Sequence, residues 1–327
     1  MNLKHHKKII FIFVIIFFSF CQLNAFSKKN FSFSVEPSFG FSYGKLGEYL
    51  FNSNGNRILS YLEWNIKPAY NFDLNLAYEF KKIKIYLETC YALPLKCGDM
   101  TDSDWTINNI KTHYGIFDNF LTNKNYNLAL KCDYFIKINN LFSISPLCKI
   151  EYKHLNFCTN QGIGWYSNNN SWETVQEPKN ISHLECIQQS YFLFLGLQLG
   201  FIIKHFKINF STFLNPLMLN YYIDYHSDEN SNEIQEDYST FVIQHSFFKT
   251  WNFGLKILYE LSKKVSIFFN FDFLFFPKIY GLTGYSKGYK KEIPAFFEKS
   301  EKWNAIGQIT GNDFYNFSVK IGLKYYL

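Results

Sequence analysis

The sequence predicts an all-β protein: a transmembrane antiparallel β-barrel of about ten strands, with an extracellular rim of long loops. Long segments of the chain alternate between apolar and polar residues with a period of two. Aromatic residues make up 21% of the 327 residues, beside only 8 prolines, which favours strands. After residue 25, no apolar segment is long and uncharged enough for a membrane helix. A membrane protein with this sequence would therefore have to be a barrel.

The first 25 residues are predicted to be a secretory signal peptide, and residues 26–327 to form the barrel domain. Lysines lie within the first eight residues, an apolar run follows at 9–20, and Leu-Asn-Ala at 23–25 is a plausible cleavage site. The apolar run is too short to span a bilayer. The signal peptide predicts that the protein is exported.

Six cysteines follow the predicted signal, and no two of them form a CxxC pair. We therefore expect no zinc site and no other bound metal. Cys132 and Cys148 lie almost symmetrically about Asn139 and Asn140, so they could face each other across a hairpin. Export permits a disulfide there, and a pair of unbonded, small apolar side chains is the alternative.

The alternation is clearest in three segments, at residues 83–95, 126–138 and 317–327. In each, apolar and aromatic residues occupy one face, while lysines and other polar residues occupy the other. A soluble β-sandwich also alternates, but its strands are shorter and its turn residues more frequent. Long segments with a charged polar face, and a final strand with an apolar aromatic face, are typical of outer-membrane barrels.

Ten segments of this kind follow the signal, an even number, as in bacterial barrels. They are predicted at residues 31–51, 57–79, 82–96, 124–139, 141–158, 183–204, 205–225, 238–261, 264–281 and 311–327. Tight turns join alternate pairs of neighbouring segments, near residues 80–81, 139–140, 204–205 and 262–263. Between these pairs, longer polar stretches lie at residues 97–123, 159–182, 226–237 and 282–310. Because short turns face the periplasm, the long stretches are expected to be extracellular loops.

Strand parity predicts which side chains point into the barrel. In the first strand, Phe39, Phe41 and Tyr43 share the lipid-facing parity, which turns Ser42 and Glu48 towards the lumen. In the seventh strand, the apolar parity changes after Pro216, and a β-bulge there would explain the change.

That bulge would turn Tyr222, Asp224 and His226 inward at the end of the seventh strand. The segment GDMTDSDW at 98–105 contains Asp102 and Asp104, and it is predicted to lie in the loop above the third strand. Both acidic clusters then reach the same extracellular rim.

These two clusters suit a reaction in which water attacks the substrate. A neutral imidazole can take a proton from water near pH 7, and a carboxylate next to it fixes its tautomer. Two close carboxylates disfavour joint ionisation, so one can hold the water while the other shares or delivers a proton.

Each cluster alone is also compatible with no catalytic role. The Asp-x-Asp pattern is common in solvated loops, and an EF-hand is excluded because Ile107 stands where the turn glycine should be. Asp224 and His226 could be solvated rim residues, or two ligands of an adventitious metal.

Taken together, the motifs resemble the omptin family, the outer-membrane endoproteases of Gram-negative bacteria. The resemblance extends over most of the chain after the signal, and its motifs are Gly44-Lys45 followed by Glu48, RILSYLEW at 57–64, GDMTDSDW at 98–105, Asp224-x-His226, and the ending at 315–317 and 322–325. It implies a ten-stranded barrel with an extracellular active-site groove. It also implies that Asp102 and His226 flank the attacking water, that Asp224 orients His226, and that Asp104 assists Asp102.

The resemblance further implies what the protein acts on. Glu48 matches an acidic residue in the pocket for the basic side chain before the scissile bond. A second acid often precedes the Asp-His pair by two positions; here that position is Tyr222, so we expect a less strict preference for basic residues.

Cofactors and partners follow partly from the resemblance. Omptins need no cofactor, and lipopolysaccharide typically activates them through basic residues on the barrel exterior, where this chain reads Tyr152-Lys153-His154. Expected partners are peptide or protein substrates and outer-membrane lipid. A net charge of +6 without a long basic run gives no support for nucleic-acid binding. The alternative function is that of a non-enzymatic barrel, an adhesin or passive surface protein.

Overall fold

The computed structural model describes residues 31–52, 54–106, 108–159, 162–168, 171–176, 184–226, 238–287 and 304–327. The predicted signal peptide lies outside these residues. Sixteen strands form one sheet in which every pairing is antiparallel. Their bounds are β1 Phe31–Phe51, β2 Ile58–Phe80, β3 Ile83–Ala92, β4 Lys96–Trp105, β5 Lys111–Thr122, β6 Tyr126–Tyr134, β7 Ile136–Lys137, β8 Phe142–Thr159, β9 Ile163–Asn168, β10 Ser171–Gln176, β11 Leu184–Ile203, β12 Phe206–His226, β13 Tyr238–Ser246, β14 Trp251–Glu260, β15 Val265–Lys287 and β16 Asn304–Tyr326. Within the described ranges, no helix is long and apolar enough to cross a bilayer.

The sheet closes on itself, because β1 pairs with both β2 and β16. One circuit of paired strands passes through β2, β3, β6, β8, β11, β12, β14, β15, β16 and β1. At the other end of the barrel, β4, β5 and β13 take the places of β3, β6 and β14. The predicted class is confirmed, but the described residues form sixteen strands instead of about ten, because short breaks divide long segments and the hairpin of β9 and β10 adds two further strands.

Side chains alternate between an apolar exterior and a polar interior. Large apolar residues are exposed on the outer face of nearly every long strand, as Phe39, Phe41 and Tyr43 are on β1. Ser42 and Glu48 on the same strand are buried inside, as parity predicts. A row of tyrosines whose rings contact one another at tilted or edge-on angles runs around one edge of this apolar belt: Tyr126, Tyr152, Tyr191 and Tyr221. An apolar band edged by aromatic residues is the surface of an outer-membrane barrel.

The two ends of the barrel differ in their connections. Tight turns join β2 to β3 and β11 to β12, where Lys81 and Lys204 adopt positive φ values of 56° and 54°. The other two predicted tight turns, at residues 139–141 and 261–264, lie at this same end. The long connections lie at the opposite end, above the tyrosine row, which is therefore the extracellular end.

Inside the belt, the lumen is filled with charged and polar side chains. Glu36 pairs with Lys256 and Lys324, and Asp73 lies 2.7 Å from the ammonium of Lys320. Glu36, Asp73, Lys256 and Lys320 line a cavity of about 230 Å³. Pairing explains how these charges are accommodated in the interior, because an unpaired buried charge is costly.

An aromatic cluster separates this cavity from the extracellular end. Trp64 is fully buried, and its ring centroid lies 5.3 Å from that of Phe120 and 6.1 Å from that of Phe157. Leu46 and Met100 are also fully buried in this core. These side chains form the floor on which the candidate site rests.

The predicted bulge at Pro216 is present. On β11, Leu193 pairs with Leu217 and Leu195 pairs with Leu214, so β12 contains one extra residue in this interval. The side-chain amide of Asn215 donates hydrogen bonds to the carbonyl oxygens of Leu193 and Leu217, at 2.9 Å each. These bonds satisfy backbone groups where the ladder is broken.

Two predicted loops turned out to contain strands. GDMTDSDW was assigned to a loop, and that prediction is wrong, because residues 98–105 belong to β4. Residues 111–122 form β5, and the predicted loop at 159–182 contains the hairpin of β9 and β10. Above the membrane neither face of a strand meets lipid, so the apolar alternation that marks the other strands is weakened. Of the predicted loops at 226–237 and 282–310, residues 227–237 and 288–303 lie outside the described residues.

Cys132 and Cys148 are direct cross-strand partners on β6 and β8, as the hairpin symmetry predicts. Both thiols are exposed on the outer face, and no disulfide joins any of the six cysteines of the described residues. The disulfide alternative is therefore not realised in this structure.

Gly98 sits where β4 begins to pair with the upper part of β2. Its φ of +151° is one that other residues rarely adopt, and a Cβ atom there would lie 1.8 Å from the carbonyl oxygen of Asn65. We expect Gly98→Ala to disrupt the pairing of β4 with β2, and hence to lower the yield of refolded barrel. Urea unfolding and heat-modifiability on gels would measure this. Gly254→Ala, whose nearest contacts are mainly side chains, is the control, and equal behaviour of the two variants would contradict the expectation.

Candidate active site

Two aspartates lie on the inner face of β4, near its extracellular end. Asp102 pairs with Leu62 on β2, and Asp104 pairs with Ser60, so the two carboxylates follow each other along one face of the strand. The Asp102 side chain is 10% exposed and that of Asp104 is 40% exposed. One carboxylate is thus held in the wall of the groove, while its neighbour remains open to solvent.

A histidine that the sequence analysis missed completes this cluster. His113 on β5 is the direct partner of Asp104. Its Nδ1 atom lies 3.3 Å from Oδ2 of Asp104 and 3.5 Å from Oδ2 of Asp102. If β4 and β5 are recognised as a hairpin, Asp104 and His113 lie at equal distances from its tip, and the histidine is then expected opposite the acids. The assignment of 97–123 to a loop concealed that signal.

The three side chains form a compact group. Their ligand-type atoms all lie within 4.8 Å of one another, a spacing at which one divalent ion could contact all three. Asp102 and His113 are buried, and Asp104 is half-buried.

Glu48 lies on the inner face of β1, in the same cross-strand row as Leu62 and Asp102. It is 4% exposed, and its Oε1 atom accepts a hydrogen bond of 2.6 Å from the indole nitrogen of Trp64. The carboxylate is thus held on the floor of the site, as the inward parity of Glu48 predicts.

Cys186 connects Glu48 to the opposite side of the barrel. Its thiol lies close to the Glu48 carboxylate, although β1 and β11 are not neighbours in the sheet. Cys186 lies above the tyrosine row and is fully buried; burial raises the pKa of its thiol well above the usual value, and the charge of Glu48 raises it further. Its cross-strand partner on β12 is Asp224.

On β12, Tyr222 and Asp224 face the same interior. Tyr221 belongs to the outer tyrosine row. Because side chains alternate along a strand, Tyr222 and Asp224 point inward. Tyr222 is 4% exposed and hydrogen-bonds with Thr310 on β16, and Asp224 is 9% exposed. The bulge at Pro216 therefore has the predicted effect on these residues.

His226 is the last residue of β12, where its backbone pairs with Leu184 and Tyr238. Its side chain lies outside the described part of the structure. Asp224 precedes it by two residues, so both belong to the same face of an extended strand.

The predicted site residues thus fall into two groups at the extracellular end. Asp102 and Asp104 form one group, with His113; Glu48, Tyr222 and Asp224 form the second, with Cys186 between Glu48 and Asp224. The cross-strand row from Glu48 through Leu62 to Asp102 joins the two groups.

These features define a class of protein before any comparison is made. A closed antiparallel barrel with an apolar belt spans the outer membrane, and it carries a group of carboxylates with His113 at its extracellular mouth.

The family follows from comparison with known proteins: this chain belongs to the Omptin family, whose sequence model matches residues 28–327. It is therefore an outer-membrane protease of that family, as the motifs led us to expect. A comparison with curated proteins finds no match by sequence.

Among solved structures, the fold is similar to that of the outer membrane protease OmpT from Escherichia coli. The TM-score is 0.76 at 15% identity, and the match covers 90% of this chain and 97% of the other. The translocator domain of the autotransporter NalP from Neisseria meningitidis matches with a TM-score of 0.33, at 9% identity and over 92% and 91% of the two chains. The toluene transporter TodX from P. putida gives 0.34, at 8% identity and over 92% and 91%. These last two scores are too low to inform the site.

Proposed function

We propose that this protein is an endopeptidase that hydrolyses peptide bonds by water attack at the extracellular mouth of the barrel, and that it prefers bonds after or between basic residues. The observation that carries the proposal is the inward placement of Asp102, Asp104 and Asp224 at one end of the barrel, on strands that the Omptin match includes. An adhesin has no physical need for these inward-facing acids.

The proposed reaction uses a water molecule between Asp102 and His226. The imidazole of His226 accepts a proton from the water as its oxygen bonds to the scissile carbonyl carbon. Asp224 stabilises the resulting imidazolium and orients the ring. The carbon–nitrogen bond then breaks, and the leaving amine takes a proton from the imidazolium. The Asp102–Asp104 pair holds the water and shares a proton with the developing oxyanion.

Glu48 and Tyr222 are proposed to form the pocket for the side chain before the scissile bond. Glu48 accepts a hydrogen bond from the indole of Trp64, so its carboxylate is oriented before substrate arrives. Tyr222 offers a ring face that can contact a guanidinium or ammonium group. We infer that substrates are peptides or proteins with basic residues; contacts of the outer surface with lipopolysaccharide remain a separate proposal, testable by adding that lipid to the assay.

The function is tested by incubating purified, refolded protein with a mixed peptide library and sequencing the products. We expect new carboxyl termini enriched in lysine and arginine. An intact library would contradict the peptidase function and favour the adhesin alternative. The assay should contain a chelator, since the proposed mechanism requires no metal.

Activity is also expected to depend on pH. An ordinary histidine becomes protonated below roughly pH 6 and can then no longer act as a base. We therefore expect kcat/KM to fall as the pH drops below that value. A profile that stays flat from pH 8 to pH 5 would remove His226 from the base role.

A further inference from the structure

His113 has no assigned role in the reaction proposed above, yet it contacts both acids of the Asp102–Asp104 pair. Its Nδ1 atom lies 3.3 Å and 3.5 Å from the nearer oxygens of the two carboxylates. These distances are at or just beyond the long end of the range for hydrogen bonds, and contacts at catalytic sites often tighten when substrate binds. A single ring nitrogen thus lies close to both carboxylates of the pair.

The ring itself is held in place from the other side. Tyr166 on β9 is the cross-strand partner of His113, and the two rings stack with centroids 4.4 Å apart and an interplanar angle of 23°. His113 is 8% exposed. The imidazole is thus fixed between an acidic strand and an aromatic one, which restricts its rotation.

The lysine nearest to His113 in sequence is not placed beside the two acids. Lys111 lies on the opposite face of the hairpin, where its ammonium is 4.1 Å from the centre of the Tyr114 ring and 5.4 Å from that of Trp105. A slip in register between Asp104 and Trp105 accompanies this change of face. The hairpin therefore places the imidazole of His113 beside the two acids, and not the ammonium of Lys111.

The two acids lie two residues apart on one face of β4, so their charges repel each other. A donor placed between them reduces that repulsion and fixes the direction of both carboxylates. We propose that His113 is a positioning residue that holds the Asp102–Asp104 pair in the geometry needed to bind the attacking water, through its Nδ1 atom. The inference rests on the proposed function. It adds His113 to the four proposed side chains Asp102, Asp104, Asp224 and His226, and His113 acts without touching the substrate.

The test compares three substitutions at this position. Asn places an amide donor near the site of Nδ1, Gln places one near Nε2, and Phe keeps a ring without a donor. We expect His113→Phe to lower kcat about 10- to 100-fold, the loss that a displacement of about 1 Å in catalytic groups can cause, with KM within twofold of the wild-type value. His113→Asn should retain more activity than His113→Gln. His205→Phe, at the exposed turn between β11 and β12, is the matched control.

These outcomes separate a positioning role from a structural one. If only ring packing mattered, Phe would retain the most activity, and if only the folded amount mattered, kcat would follow the heat-modifiable fraction. Equal kcat for the wild-type, Asn, Gln and Phe proteins would overturn the proposal while leaving the peptidase function intact.

A second measurement does not require activity. In a double-mutant cycle of urea unfolding with His113→Phe and Asp104→Ala, the shifts of the two midpoints should not add, because each variant removes the same contact. Additive shifts would overturn the contact itself. An inactive wild-type protein with non-additive shifts would contradict the proposed function but not the contact.

Discussion

Asp102→Asn is expected to lower kcat/KM for peptide hydrolysis by about 100- to 10,000-fold, the range over which a positioned acid or base contributes to catalysis. The amide keeps the size of the side chain but can neither carry the charge nor share the proton. His226→Ala should cause a loss of similar size, since the two residues are proposed to hold the same water. Steady-state kinetics on a fluorogenic peptide with one basic residue would measure both losses.

The same strand provides the control for this variant. Asp99 lies on the opposite face of β4, where its Oδ2 atom is 2.8 Å from the ammonium of Lys67. Exposed pairs of this kind contribute at most about 1 kcal/mol to stability. Asp99→Asn should therefore retain the wild-type rate and fold. A heat-modifiable Asp102→Asn protein that also cleaved at the wild-type rate would contradict the proposed mechanism.

Glu48→Gln is expected to weaken cleavage after arginine and lysine more than cleavage after neutral residues. The variant keeps an acceptor for the indole of Trp64 but removes the only charge that we assign to the pocket. A hydrogen bond to a charged group contributes about 1.5 to 3 kcal/mol, which corresponds to roughly a 10- to 150-fold loss for basic substrates. Sequencing of the cleavage sites in a mixed peptide library would measure the change.

Tyr222→Asp should have the opposite effect, because it adds a second charge to the pocket. That gain should exceed the loss of the tyrosine ring, whose cation-π contact is worth about 0.5 to 2 kcal/mol. We expect a sharper preference for arginine. Glu63→Gln is the control, since Glu63 lies on the outer face of β2 with Lys45 at 2.7 Å. If the residue distribution in Glu48→Gln matched that of the wild-type protein, the pocket assignment would be wrong, whereas the catalytic pairs would be unaffected.

The membrane-spanning part of this fold could be predicted from the sequence, because lipid imposes a strict rule on it. Phe39, Phe41 and Tyr43 are apolar since they face hydrocarbon, and this fixed the parity that turned Glu48 inward. The same rule revealed the bulge at Pro216, because the apolar parity changes there. Tight turns were found in the same way, as short polar interruptions between long alternating segments.

Above the membrane that rule no longer applies, and two of the loops predicted there contain strands. Residues 98–105 and 111–122 are paired strands, yet their polar residues resemble a loop. His113 was missed for that reason, since only its pairing with Asp104 brings it to the site. The contact between Glu48 and Cys186 could not be foreseen either, because it crosses the lumen between strands that are not neighbours.

The central claim is that water, without a covalent intermediate, cleaves peptides between the two groups of acids at the barrel mouth. The most direct test is digestion of one basic peptide by the refolded protein in ¹⁸O-water, in the presence of a chelator, with mass spectrometry of both the products and the intact protein. The account predicts that each new carboxyl terminus carries one ¹⁸O atom, that the protein mass stays unchanged throughout, and that Asp102→Asn gives almost no product. A peptide fragment covalently attached to the protein during turnover, or undiminished cleavage by Asp102→Asn, would contradict it.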